Sequence, residues 1–63
     1  MDTYSLDTVR RILHRLEDAR REIHELQLRE EYPLSAKFER AYDALEKAEK
    51  FLKETISTDE DDE

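Results

Sequence analysis

Glycine is absent from this chain and proline occurs once, at Pro33, so 63 residues contain a single place where the sequence forces the backbone to break. Sparse punctuation of this kind implies long uninterrupted elements on either side of one reversal. Before the break, Val9, Ile12, Leu16, Ala19, Ile23 and Leu26 recur at alternating spacings of three and four residues. After it, Phe38, Ala41, Leu45, Ala48, Leu52 and Thr55 do the same. That alternation is the heptad signature of a helix seam and is incompatible with the period of two that a strand requires. The expected fold is therefore all-α, an antiparallel two-helix hairpin over residues 1–57. Helix 1 is expected over about 6–30, a turn over about 31–34 and helix 2 over about 35–56.

Local signals place the ends. Ser5 is the expected N-cap of the first helix, with Tyr4 packing on Val9 as a hydrophobic staple and Asp7 complementing the positive end of the helix dipole. Pro33 excludes Tyr32 from the helical region and lacks a backbone donor, which ends the first helix near residues 29–31. Ser35 is the expected cap of the second helix, with Leu34 anchoring the turn.

If the chain reverses around Tyr32 and Pro33, the seam residues pair large against small. Leu16 meets Ala48, Ala19 meets Leu45, Ile23 meets Ala41, Leu26 meets Phe38 and Ile12 meets Leu52. Alternation of size lets side chains interdigitate, so Val9, Ile12, Leu16, Ala19, Ile23, Leu26, Phe38, Ala41, Leu45, Ala48 and Leu52 form the expected hairpin core. Further apolar residues flank it: Leu6, Leu13, Tyr42 and Ile56 on one side, Ala44 and Phe51 on the other. Each large side chain left in water forgoes about 1.5–3 kcal/mol. A chain this short seldom draws more than ~3–5 kcal/mol from one core, and without cysteine it has no disulfide or thiolate metal site to add. The flanking residues are therefore expected to form a dimer interface, two hairpins closing into a four-helix bundle as a homodimer.

The formal net charge of −7 is concentrated in the run Asp59, Glu60, Asp61, Asp62 and Glu63. A segment so polar cannot offset its ordering entropy, so residues 58–63 are expected to be a disordered, solubilising tail. No apolar run suggests a signal peptide or membrane span, and a cytoplasmic location is the expectation.

Chemistry-bearing motifs are weak. His14 and His24 stand ten residues apart, not at the four-residue step that aligns two imidazoles on a helix, and Arg21 occupies the place where a Glu-x-x-His ligand pair would need its carboxylate. Glu46 with Lys50 and Glu49 with Lys53 read as exposed helix-supporting pairs. No serine or threonine has a histidine and a carboxylate recognisably spaced around it, so no catalytic residue, metal ligand or cofactor is assigned. The remaining cluster, Arg10, Arg11, His14, Arg15 and Arg21, lies largely off the seam and is the candidate partner contact. Leu28 beside Arg21 and His24 marks a second candidate spot, because it falls opposite the seam. The expected role is a non-enzymatic interaction protein that pairs with itself and binds an unknown protein. The alternative is a nucleic-acid-binding regulator using the arginine-rich face, since guanidinium forks suit phosphate oxygens. Interleaved Asp7, Glu17, Asp18 and Glu22 weigh against that alternative.

Overall fold

Residues 30–33 carry the only reversal in the computed structural model, which describes residues 1–61, with side chains through Thr58. Helix α1 spans Thr3–Arg29 and helix α2 spans Leu34–Asp61, and the two pack against each other as an antiparallel hairpin. The all-helical hairpin expected from the heptads is the observed fold. Its ends differ from expectation in three places.

The first helix starts earlier. Asp2, extended at φ −77° and ψ 170°, is the N-cap, and its carboxylate accepts the Ser5 backbone N–H at 2.7 Å. The Leu6 N–H donates to the Asp2 carbonyl at 3.0 Å. Ser5, the expected cap, is thus a residue of the first turn. Aspartate caps as well as serine does, and no residue between Asp2 and Ser5 resists the helix, so the earlier acceptor sets the start. Thr8 and Thr55 tolerate interior positions by donating their hydroxyls to the carbonyls four residues back, Tyr4 at 2.9 Å and Phe51 at 3.0 Å.

At the turn, Glu30 leaves the helix at φ −96° and ψ 153° while its N–H still donates to the Leu26 carbonyl. Arg29 in the last turn complements the negative end of α1. The Tyr32–Pro33 peptide is cis. The Ser35 and Lys37 N–H groups donate to the carbonyls of Glu31 and Pro33, so turn carbonyls satisfy these early amides of α2 and Ser35 lies inside the first turn, not at the cap. At the other end α2 continues past the expected limit at residue 56 through Asp61, into the segment expected to be disordered. No glycine or proline follows Pro33 to stop the hydrogen-bond ladder. Asp62 and Glu63 lie outside the described residues.

The hairpin is long and thin, 48 × 15 × 10 Å, with a radius of gyration of 14.6 Å against about 11 Å for a compact chain of this length. Leu13, 9% exposed, is the one buried apolar side chain among the described residues, and Glu49 is the one buried polar side chain. The expected core is turned partly out of the contact: Val9, Leu16, Ala19, Ile23, Phe38, Ala41, Leu45 and Leu52 are half-buried. Ile12 and Leu26 are each 39% exposed and Ala48 is exposed, whereas Leu13, expected between hairpins, lies inside this one. Leu6, Tyr42 and Ile56 are half-buried, and Ala44 and Phe51 are exposed.

Two hydrogen bonds from Ser5, first its backbone N–H and then its hydroxyl, hold the Asp2 carboxyl below the ordinary value of 3.8. A carboxyl held down by folding contributes its stability above the unfolded value and loses it as pH falls through the lowered one. Acid titration should therefore lower the protection factor of the Ser5 amide, its exchange measured against the intrinsic rate at each pH, as pH falls below the ordinary carboxyl value. Asp2→Asn, which keeps a cap without a titrating group, should flatten that dependence. An acid-sensitive Ser5 amide in Asp2→Asn would assign the effect to another group.

Candidate interaction surface

Residues seven apart on a helix stand almost above one another. Leu6, Leu13, Arg20 and Gln27 make one such column on α1, and Ser35, Tyr42, Glu49 and Ile56 make one on α2. These two columns are where the helices meet: all eight side chains are buried or half-buried. The polar members of the columns find each other. Arg20 Nη1 donates to the Tyr42 hydroxyl at 2.8 Å, and Arg20 Nε stands 2.6 Å from Glu49 Oε2. The pairing of Leu16 with Ala48 and Ala19 with Leu45 puts residue 44 opposite residue 20, and the two observed contacts fall on either side of it.

The Glu49 side chain is only 4% exposed and that of Arg20 29%. The Nε–H direction does not run in line to the carboxylate, so the contact is an ion pair in which neither Glu49 oxygen accepts an in-line hydrogen bond. The guanidinium carbon lies 5.3 Å from the centre of the Tyr42 ring, within cation–π range, and the His24 ring packs on Tyr42 at 5.6 Å, tilted by 50°. The Tyr42 hydrogen bond chiefly, and the Glu49 charge after it against the opposing effect of burial, raise the Arg20 pKa further above its ordinary range. Arg20 is a fixed cation.

At 3.6 residues per turn, the remaining residues divide between two faces of the hairpin. Because antiparallel helices wind in mirrored senses about their contact, Ile12, Ala19, Ile23 and Leu26 of α1 fall on the same side as Ala41, Ala48, Leu52 and Thr55 of α2. That side is the apolar heptad seam. The opposite side is polar and grooved. One open groove of about 570 Å³ is lined by Arg20, Glu46, Lys47, Glu49, Lys50 and Lys53. A second of about 250 Å³ is lined by Arg20, Arg21, His24, Glu25 and Tyr42, and a third of about 170 Å³ by Arg10, Leu13, His14 and Glu17.

The candidate partner-contact residues Arg10, Arg11, His14, Arg15 and Arg21 are all exposed. They are not brought into one patch. Arg10, His14 and Arg21 rim the grooves, with Arg10 also 3.9 Å from Asp7, whereas Arg11 and Arg15 project from the back of α1. Leu28 is 73% exposed on the grooved side, one turn beyond His24. Glu46 and Lys50 share the large groove as expected neighbours, but Glu49, expected to pair with Lys53 in solvent, is buried against Arg20 instead. Arg20 and Glu49 are the residues that reading the chain missed. Their signal is the opposite charge placed in the seven-residue columns that also hold Leu6, Leu13, Tyr42 and Ile56.

Among the described residues, no three of His, Cys, Asp and Glu stand close enough to hold a metal ion, and no helix is long and apolar enough to cross a membrane. Comparison with known protein families, curated proteins and solved structures finds no match to this chain.

A buried ion pair is costly to break from one side because the remaining charge is stranded, while replacing both members by apolar residues is often neutral or favourable. Glu49→Ala should lower the unfolding free energy by about 1–3 kcal/mol in chemical denaturation. The combined Arg20→Met and Glu49→Leu variant should recover most of that loss. Additive destabilisation by the two changes would show that the pair is not coupled.

Proposed function

We propose that this chain is a non-enzymatic interaction protein, a helical hairpin that pairs with a second copy into a four-helix bundle and acts by binding a partner protein. The observation that carries the proposal is the heptad seam left open along one side. In a four-helix bundle the seam of each helix points at the bundle axis, between its two neighbours, and not straight at the helix it is connected to. The rotation of Ile12, Leu26 and Ala48 out of the hairpin contact is the orientation such a bundle requires.

Area supports the same reading. The chain exposes 5261 Å², whereas a compact monomer of 7.6 kDa exposes about 4300 Å². The excess, about 1000 Å², compares with the ~800 Å² per partner lost in a standard stable interface. With the seam covered, the grooved faces with Tyr42, His24 and exposed Leu28 point outward on both sides of the dimer. Such a mixture of aromatic, guanidinium and isolated apolar groups suits a protein surface.

Nucleic-acid binding is the second reading, and the exposure of Arg10, Arg11, His14, Arg15 and Arg21 favours it. Their separation onto two sides of α1 and the intervening carboxylates favour the first.

Light scattering should give twice the chain mass at micromolar concentration, with a melting temperature that rises with concentration. Ala48→Arg, which sets a cation on the seam, should shift the mass toward one chain. A cooperative, concentration-independent melt of a single chain would end the dimer proposal. Capture of a protein from native lysate should survive nuclease treatment. Tight RNA or DNA binding at physiological salt that disappears when Arg10, Arg11 and Arg15 are replaced by alanine would establish the second reading instead.

A further inference from the structure

The apolar seam leaves open how the second copy lies on it. Two hairpins can stack with both open ends together or with the open end of one against the loop end of the other. We infer that the copies lie head to tail, so that the Tyr32 turns stand at opposite ends of the bundle. The inference rests on the dimer reading above and adds the partner's orientation.

Two independent features point to it. The first is side-chain volume along the seam. The layer nearest the open end is Val9 with Thr55, and the layer nearest the turn is Leu26 with Phe38. Side-by-side stacking would set Leu26 and Phe38 against their own copies, and Val9 and Thr55 against theirs. One end of the bundle would then be overfilled and the other underfilled. Head-to-tail stacking sets the narrow layer of one copy against the wide layer of the other. At mid-height it brings the layer of Leu16 and Ala48 against that of Ala19 and Leu45, each already one large and one small residue. Core volume becomes even along the bundle, as native packing density requires.

The second feature is charge. The first turns of α1 and the last of α2 meet at the open end, which gathers Asp2, Asp7 and Glu54 and the positions of Asp59, Glu60 and Asp61. The nearest side-chain cations are Arg10, 3.9 Å from Asp7, and Lys53 beside Glu54, and they leave the end net acidic. Side-by-side stacking would press two such ends together. Head-to-tail stacking separates them by the length of the hairpin, 48 Å, several times the ~8 Å over which charge acts at physiological salt. It also lays each acidic end near the turn of the other copy, where exposed Arg29, Lys37 and Arg40 balance exposed Glu30, Glu31 and Glu39, so the acidic end meets a neutral region in place of a second acidic one.

The chain has no cysteine, so a single introduced one gives a clean label. Tyr32→Cys, at a position 83% exposed in the turn, should fold as the parent does and carry a nitroxide. Pulsed electron–electron resonance on the labelled dimer should read a distance close to the 48 Å long axis. A distance of two helix diameters or less, roughly 20–25 Å, would place the turns together and overturn the arrangement while leaving the dimer intact. Comparable populations at both distances would overturn it as well. A single-chain mass in light scattering of the same sample, with no dipolar signal, would remove the dimer and the arrangement together. A label at Thr58, exposed near the open end, repeats the test from the other side and should also read a long distance.

Discussion

The contact between Arg20 and Glu49 governs how the two helices face each other. A charge that has given up its water must keep its partner, and here the partners come from different helices, so separation or slippage of the hairpin strands both. A neighbouring apolar contact could shift by one turn at modest cost, because one aliphatic side chain replaces another. The guanidinium cannot, since it also donates to the Tyr42 hydroxyl one heptad from Glu49. Register and rotation are thereby fixed together. Once the columns through Leu13 and Arg20 and through Tyr42 and Glu49 form the contact, helical geometry carries Ile12, Ala19 and Leu26 to one side and Arg21, His24 and Leu28 to the other.

Much of this was legible in the chain. Two helices of 27 and 28 residues around one turn follow from a heptad repeated on both sides of a lone proline in a chain without glycine. The approximate register was legible too, through the opposition of large and small seam residues. The direction of the seam was not. Periodicity says which residues share a stripe, but a stripe can face its own hairpin partner or the axis of a larger bundle, and both readings have the same spacing. What separates them is the polar pair, and Arg20 and Glu49 look like ordinary surface charges when each is read against its own helix. Only together, as opposite charges in the columns of Leu6, Leu13, Tyr42 and Ile56, do they mark the contact. The helix ends were misplaced for a smaller reason. Several residues near each end can cap or continue a helix, and the choice between Asp2 and Ser5 depends on which acceptor first meets a free amide.

The two faces differ in a way that bears on association. A hairpin apolar on both sides could add copies on either side and grow without limit, whereas one whose second face is polar closes after a single addition. The charged lining around Arg20, Glu46, Lys47 and Lys50 makes the grooved face unsuitable for a second seam. The same residues that fix the hairpin register therefore also limit the assembly that the seam can build.

Burial of that pair is a poor source of stability in itself, since desolvation offsets most of the Coulombic attraction and neither Glu49 oxygen gains an in-line hydrogen bond. Its expected worth is specificity of register, and a hairpin with so little buried apolar surface would have little stability of its own. Leu13 alone is buried among its described apolar side chains, so in the proposed dimer much of the free energy that holds the fold would come from covering the seam. In the proposed dimer, folding and association would be one equilibrium, and covering the seam would order the groups on the grooved face, Tyr42, His24 and Leu28, for a partner. If the proposed bundle forms, a partner that binds the grooves would stabilise it and one that competes for the seam would dismantle it, because each acts on the same equilibrium from opposite faces.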